Sequence, residues 1–334
     1  MRDIYFENDY GKLYEKIEGG KCEQYEYKND FGTVRHMFIK REIQQKIDSQ
    51  VYYDLVTPYG YGGPLIVECI EGKQKELVHG FVTSFQKYCE ENNVVSEFIR
   101  FHPIFKNDQY FREHYTVEHI RNTIGTNLRD YCDPVQSEFS KSCRRNIRNA
   151  LKRGITFEVV EKPQSLSDFK RIYYSTMKRN EAEEYYYFDD DYFEQCIEVL
   201  GNHIVTVKAL YQDTTIAMGL FFIYGKLIHI HLSGTLSEFL HLSPAYVLRY
   251  AITLWGKEHG YEFIHHGGGR TNSPKDGLYL FKKQFGVNTE FEYRIGKRIW
   301  NEKVYSVLCD LAGVDRGSVY FPVYRDTRDN RRSC

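Results

Sequence analysis

The period of the apolar positions changes several times along the chain, and each change marks an element. Val51 to Val56 is rich in residues that favour strands and runs into Thr57-Pro-Tyr-Gly-Tyr-Gly-Gly-Pro64, where Gly and Pro end the strand in a turn. Leu77 to Asn92 carries Leu77, Val78, Phe81, Phe85 and Tyr88 at helical spacing, and Val94 to Phe101 predicts the next strand, closing at His102-Pro103. The same order returns later. Lys226 to Leu232 predicts a strand, Ser233-Gly-Thr235 a turn, Pro244 to His259 a helix, and Tyr261 to His266 a strand ending in Gly267-Gly-Gly269. A strand, a helix and a second strand in this order favour a parallel pair with a right-handed crossover, so the chain reads as two α/β halves built on one plan.

The second half is the more legible. Ile155 to Val160 predicts a strand, Leu166 to Lys178 and Tyr192 to Leu200 predict helices, and Ile204 to Tyr211 with Thr215 to Tyr224 predicts a hairpin turning at Gln212-Asp213. The order becomes β-α-α-β-β-β-α-β-α-β. The join between halves is expected near Asp133-Pro134, giving a domain over 1–136 and another over 137–334, the latter entered by a helix over 137–153.

That joining helix has a polarity of its own. At 100° per residue, Lys141, Arg144, Arg145, Arg148 and Lys152 share one face, while Cys143, Ile147, Ala150 and Leu151 lie opposite. Five cations on one face suit a phosphate-bearing partner, although a solvated face on a linking helix gives the same pattern. A second short helix is expected between Ser273-Pro-Lys-Asp276 and Gly286, with Ser273 as its cap, Pro274 in the first turn and Asp276 returning a capping-box bond. Leu278, Phe281 and Phe285 set its apolar stripe; Lys282 falls on that stripe and Lys283 points away, toward solvent. A lysine so placed must snorkel to water or face a polar cleft, because an unpaired buried ammonium is costly. In a cleft, its charge suits stabilisation of the oxyanion of acyl transfer.

Composition adds bounds. With 334 residues the chain is long enough for two cores, and its 45 Lys and Arg against 46 Asp and Glu confine any attraction for phosphate to local patches. Eight cysteines, Cys334 among them, show neither a C-x-x-C pair nor metal-ligand spacing, which suits a reducing compartment. The segment from Met1 to Tyr10 lacks the pattern of a signal peptide, and no apolar run approaches a membrane span, so a cytoplasmic location is expected. The 29 tyrosines include Tyr59 and Tyr61 in the Gly-rich turn, whose flat faces and polar tips make them candidate substrate contacts; most tyrosines are expected in cores and on sheet faces. His229 and His231 alternate onto one strand face and His265 and His266 end the neighbouring strand, so His229, His231 and His266 are candidate cleft residues and one of them a candidate base. No metal site and no tightly bound cofactor are expected. No G-x-S-x-G, P-loop, H-E-x-x-H or in-register G-x-G-x-x-G pattern is present, which weakens hydrolase, NTPase, zinc-protease and dinucleotide-binding readings.

Taken together, Phe139-Ser-Lys-Ser-Cys-Arg-Arg-Asn-Ile-Arg148, Tyr174-Ser-Thr-Met-Lys-Arg179, His231-Leu-Ser-Gly-Thr235 followed by Ser243-Pro-Ala-Tyr246, His266-Gly-Gly268 and Leu278-Tyr-Leu-Phe-Lys-Lys-Gln-Phe285 resemble the Fem family of non-ribosomal aminoacyl transferases, in its compact FemX-type form. The resemblance runs through most of the chain and is strongest after Phe139. It implies two tandem GNAT-like domains and transfer of an amino acid from aminoacyl-tRNA to an amine of a nucleotide- or lipid-linked peptidoglycan precursor. It also implies peripheral contact with a membrane through the acceptor. Lys282 then matches the lysine that stabilises the transition state, Phe281 lies beside the tRNA acceptor end, and Arg179 matches the arginine on the acceptor's diphosphate. This chain departs from the family pattern in carrying His229 and His231 where aromatic residues are expected, and in lacking the tryptophan-containing segment that supplies a second phosphate-binding lysine; Lys40 or Arg41 is the nearest substitute.

Two other readings fit the same pattern. The fold with an acyl-CoA donor would serve surface-polysaccharide synthesis, though the pyrophosphate-binding Gly turn is not evident after Leu232, where Ser233-Gly-Thr-Leu-Ser-Glu238 stands. A catalytically silent adaptor would use the basic helix alone to bind RNA, and gives no reason for a lysine inside an apolar stripe.

Overall fold

The computed structural model describes residues 3–315 and 317–326; Met1, Arg2 and Cys334, which entered the reading of the N-terminal segment and the cysteines, lie outside the described residues. In chain order the strands are β1 (Gly20–Asn29), β2 (Gly32–Ile47), β3 (Gln50–Val56), β4 (Leu65–Cys69), β5 (Val94–Arg100), β6 (Thr116–Asn127), β7 (Thr156–Glu161), β8 (Ile204–Tyr211), β9 (Thr214–Tyr224), β10 (Leu227–Thr235), β11 (Phe263–Gly267) and β12 (Glu290–Ile299). The α-helices are α1 (Asn8–Leu13), α2 (Glu15–Glu18), α3 (Gln74–Glu91), α4 (Asp108–Phe111), α5 (Pro134–Glu138), α6 (Lys141–Lys152), α7 (Ser167–Arg179), α8 (Asp190–Leu200), α9 (Pro244–Glu258), α10 (Gly277–Lys283) and α11 (Glu302–Ala312). No helix among the described residues is long and apolar enough to cross a membrane.

Packing groups the chain into two compact units. One takes Tyr5–Ile120 together with the described residues from Tyr293 onward; the other takes the N-terminal residues up to Ile4 together with Arg121–Glu292. The sequential division at 136/137 therefore differs from the packing: β6 and β12 each carry the unit boundary, and the C-terminal helix α11 joins the core of the N-terminal residues, where Leu308 and Cys309 pack with Ile43 and Val95.

In the unit built on Tyr5–Ile120 the sheet order is β1-β2-β3-β5-β12, with β4 on β2. β3 and β5 are parallel and joined through α3, as the repeat predicts. The helix buries Leu77, Val78, Phe81, Val82, Phe85 and Cys89, a stripe that closes the core over Val34, Phe38, Leu55, Val94 and Ile99. Into this core the strands send a polar pair: His36 Nε2 bonds Glu97 Oε1, and Glu97 Oε2 accepts from the Tyr115 hydroxyl at 2.9 Å and from Trp300 Nε1 at 3.1 Å. A buried carboxylate needs those donors.

In the other unit the order is β6-β11-β10-β9-β8-β7, with β10 and β11 parallel and linked through α9, again as expected. α9 lays Val247, Leu248, Ala251 and Ile252 on Val205, Val207, Ile216, Phe221, Ile228 and Ile264, and α7 covers β10 so closely that a Cβ at Gly234 would stand 2.6 Å from the Ile172 carbonyl oxygen. Ser233-Gly-Thr235 is strand and not turn; β10 runs through to Thr235, paired with Ala217, and the chain turns after it. The segment expected as one helix over 137–153 is two. α5 is capped by Asp133 and ends at Phe139, whose extended backbone breaks the helix, and Ser140 then caps α6 by accepting from Cys143 N at 3.1 Å.

Phe285 is the pin of this corner. It is fully buried, in a cluster with Phe139, Cys143 and Ile147, so it ties the chain after α10 to the start of α6. Phe285→Ala is expected to cost about 3–5 kcal/mol, read as a lowered urea midpoint, whereas Leu278→Ala, at a side chain 38% exposed, is expected to stay within about 0.5 kcal/mol of the parent.

Candidate active site

The candidate site lies in the unit containing Arg121–Glu292 and is assembled from β6, β11, α9 and α10. Its frame begins with Asp276. The cap of α10 is Asp276 and not Ser273: Oδ1 accepts from Tyr279 N at 2.9 Å, while Oδ2 takes Arg270 N at 3.0 Å and Thr271 N at 2.9 Å. These backbone donors stabilise the charged carboxylate and pull its pKa down to about 2. The strand ladder of β11 thus passes into a loop that one side chain folds back over the helix. Arg121 adds a second tie, donating from Nη1 to Gly269 O at 2.5 Å.

The apolar stripe of α10 is shorter than its periodicity implies, because Leu278 and Leu280 are 38% and 49% exposed. The packed residues are Phe281, which meets Tyr246 at 5.3 Å, and Phe285. Lys282 follows Phe281 inward; its side chain is half-buried and Nζ donates to Gly268 O at 2.7 Å. Lys283 turns the other way, as expected, but toward Glu290 at 3.4 Å in place of open solvent. Burial, with repulsion from Arg249 and Arg121 only partly opposed by Asp276, brings the Lys282 pKa down to about 7. A lysine near neutrality can carry a proton in either direction at physiological pH.

His266 sits beneath this lysine. It is buried, stacks on Phe285 at 5.8 Å and shares a 2.7 Å hydrogen bond between Nε2 and Thr126 Oγ1. The Thr126 hydroxyl donates to Phe285 O at 2.7 Å, so it accepts from His266, which fixes the proton on Nε2 and leaves Nδ1 as a buried acceptor without a partner. Burial, then Arg249 and Lys282, hold the ring neutral, with its pKa well below the usual imidazole range.

Sequence reasoning passed over Arg249, since its spacing on α9 reads as an ordinary interruption of an apolar helix. It is 4% exposed, with its guanidinium 4.7 Å above the Phe281 ring and 5.3 Å from Phe285. Thr126 and Arg121 were likewise missed, being residues of a strand that the apolar pattern left unread.

The other candidates fall elsewhere. His229 is buried with Asp3, Nε2 to Oδ2 at 2.8 Å, and its ring meets that of His265 edge-on at 5.6 Å. The alternation expected to put His229 and His231 on one face is broken by a bulge between Ile230 and Leu232. His231 instead stacks on Phe222 at 4.3 Å and bonds the Tyr192 hydroxyl at 2.6 Å; burial, then His229, pushes its pKa down to about 3, so the ring is neutral. His266 and its neighbour His265 reach different residues of β6, Thr126 and Thr123. Arg179 ends α7 and donates to Thr235 O at 2.8 Å and Ser237 Oγ at 3.1 Å.

On α6, Lys141, Arg145, Arg148 and Lys152 are exposed and make no ion pair among the described residues. Arg144 does not join them freely: it donates to Gln136 O at 2.9 Å and to Phe139 O, closing the end of α5. Tyr59 and Tyr61 belong to the other unit, inside an aromatic group with Tyr5, Tyr10 and Tyr14. Lys40 and Arg41 are also there and committed, Lys40 to Asn92 at 3.0 Å and Arg41 to Asp54 at 2.7 Å.

Comparison with known proteins bears on the fold of this site. Residues 137–275 match the acetyltransferase (GNAT) domain family. FemX superposes with a TM-score of 0.70 at 15% identity, covering 91% of this chain and 94% of its own. The C-terminal domain of a candidate lysylphosphatidylglycerol synthetase from Agrobacterium fabrum gives 0.57 at 14% identity, with 86% of each chain covered. A tandem GNAT protein from the clavulanic acid biosynthesis pathway gives 0.51 at 7% identity, with 85% of each covered. No curated protein matches this sequence.

Asp276→Ala is expected to lower the thermal midpoint through loss of an N-cap, a cost of about 1 kcal/mol. Because the native pKa lies below the unfolded value, this contribution is present above about pH 4 and is lost as pH falls toward 2, so melts of parent and variant should converge over that range. Residues 137–275 match the acetyltransferase (GNAT) domain family, and the chain as a whole has the α/β fold of FemX and of a tandem GNAT protein.

Proposed function

We propose that this protein is an acyltransferase of the Fem and GNAT type that moves an aminoacyl group from aminoacyl-tRNA to an amine of a nucleotide- or lipid-linked peptidoglycan precursor. The observation that carries the reading is Lys282: an inward ammonium held by Gly268 O, on a helix whose loop is pinned from both sides, with a pKa brought to about 7. A group so fixed costs little reorganisation when negative charge develops on a carbonyl oxygen. Phe281, next to it, offers a face for the end of the donor. The exposed cations Lys141, Arg145, Arg148 and Lys152 stand on the helix that α10 packs against, which supports a phosphodiester donor running along α6 toward Lys282. Arg144, occupied by backbone carbonyls, shapes that helix end. Arg179, with backbone and hydroxyl partners but no carboxylate among the described residues, is the proposed contact to an acceptor diphosphate. In this reading the reaction needs the donor and the acceptor and no tightly bound cofactor; the protein works in the cytoplasm, meeting a membrane only through a lipid-linked acceptor.

A second reading keeps the fold and Lys282 but takes an acyl-CoA donor and an amino sugar acceptor, and rests on the GNAT match over residues 137–275. The two separate by experiment. With purified protein, charged tRNA and a nucleotide-linked precursor, the parent transfers label to the precursor, and Lys282→Ala lowers that rate about 100-fold or more while binding tRNA as tightly as the parent. Unchanged turnover in Lys282→Ala would end the active-site assignment. Acetyl-CoA that raises the melting temperature where tRNA does not bind would favour the second reading. On the first, Arg145→Ala and Arg148→Ala each weaken tRNA binding and reduce its salt slope by about one.

A further inference from the structure

Arg249 is out of place on general grounds. Arginine is almost never buried without a partner, and here it is 4% exposed with no acid beside it among the described residues. Its contacts are the two rings of Phe281 and Phe285, a 3.3 Å bond from Nη1 to Ala245 O, and an Nε with no partner at all. A guanidinium over a ring recovers about 0.5–2 kcal/mol, less than the several kcal/mol that desolvating an ion takes. The neighbouring Cys143 supplies no counter-charge, since burial pushes its thiol up to about 12. The fold therefore holds a permanent cation against the ring of the residue before Lys282, and its packing offsets only part of the cost.

The groups facing Lys282 from the surrounding elements are few. Arg249 comes from α9, Arg121 from β6 and His266 from β11, and Asp276 caps α10 itself. His266 is neutral. Asp276 spends both oxygens on backbone donors. Arg121 is half-buried and bound to Gly269 O. Arginine does not release its proton in proteins, so the repulsion between Arg249 and Lys282 is relieved only when Lys282 releases its own.

On the acyl-transfer reading given above, we propose that Arg249 is a positioning residue whose fixed charge keeps the Lys282 proton exchangeable, making Lys282 the proton carrier of the reaction. Neutral Lys282 takes a proton from the acceptor nitrogen as the C–N bond forms. The resulting ammonium stands beside the oxyanion. As the C–O bond of the donor ester breaks, that proton passes to the departing hydroxyl, so Lys282 ends as it began and the only products are the amide and the free alcohol. Arg249 touches none of the reacting atoms.

The test reads Lys282 directly. Trace labelling of the full chain with acetic anhydride between pH 5 and 11, quantified on the Lys282 peptide by mass spectrometry, is expected to give a midpoint near the value of about 7 in the parent. Arg249→Gln and Arg249→Met should raise the midpoint by about one to two units, the size of a nearby unit charge at an effective dielectric near 20. An ordinary lysine midpoint in the parent would overturn the proposal without any variant, which covers the case of Arg249→Met failing to fold. So would an unshifted midpoint in both Arg249→Gln and Arg249→Met. In the transfer assay the rate of the parent should rise through the same midpoint, and the limb should move with the charge-removing variants; a pH-independent rate would remove Lys282 as carrier. Labelling needs neither donor nor acceptor, so a failed transfer assay with a shifted labelling midpoint would tell against the proposed substrates and leave the Arg249–Lys282 coupling standing.

Discussion

The site hangs on the burial of one ring. Phe285 meets Phe139 at the start of the α6 segment, Tyr246 on α9 and His266 on β11, so three elements distant in sequence share a single apolar contact. The backbone around it is equally committed. Gln284 O accepts from Ser140 N at 2.8 Å, and a Cβ at Gly286 would overlap the carbonyl oxygen of Gly125, so the chain leaves α10 by the one path a glycine permits. Buried Glu138 then fixes the exit, accepting from Asn288 N at 3.1 Å and from the Thr289 hydroxyl, while its own carbonyl takes Val287 N at 2.9 Å. A seven-residue helix has little stability of its own, and these ties supply what its length cannot.

Electrostatics follow from that seat. Because α10 is pinned at both ends, Lys282 is held half-buried against Gly268 O, and the rings of Phe281 and Phe285 that seat the helix also support Arg249. The low dielectric that makes two unpaired cations costly is what makes their interaction strong. His266 adds to the effect by staying neutral: its Nε2 proton is committed to Thr126, and a third positive charge is excluded by the first two. The contrast with the other unit is instructive. There His36 is equally buried, but an acid stands beside it: Glu97 pairs with its Nε2 and takes further donors from Tyr115 and Trp300, although His36 Nδ1 has no partner. One cluster holds its basic group against a carboxylate and the other leaves a buried guanidinium without one, and chemistry belongs with the second.

Much of this was legible in the sequence where the physics is local. The repeated strand-helix-strand order and the parallel pairs β3/β5 and β10/β11 follow from periodicity, and so does the inward turn of Lys282, although Leu278 on the same stripe stays exposed. Caps were less legible. Ser273 and Asp276 are both good cap residues three positions apart, and only the tertiary demand of Arg270 N and Thr271 N for an acceptor decides for Asp276. The bulge at His231 leaves no local mark, and it cancels an alternation argument that was sound for a regular strand. The interleaving of the two units is least visible, since β12 and α11 resemble any C-terminal strand and helix until their partners are known.

Arg249 shows why a site can be half visible. An isolated arginine in Tyr246-Val-Leu-Arg-Tyr-Ala-Ile252 reads as the polar edge of an amphipathic helix, because sequence reports spacing around one axis only. Its burial results from a second helix packing on that edge, and α10 lies about thirty residues downstream, a separation at which pattern rules carry no information. The same limit explains Arg121 and Thr126, which acquire their roles only when β6 is laid beside β11. Local pattern located the lysine; the neighbours that determine when that lysine holds its proton come from long-range packing, and a functional reading that stops at motif residues would describe the charge of the site without what controls it.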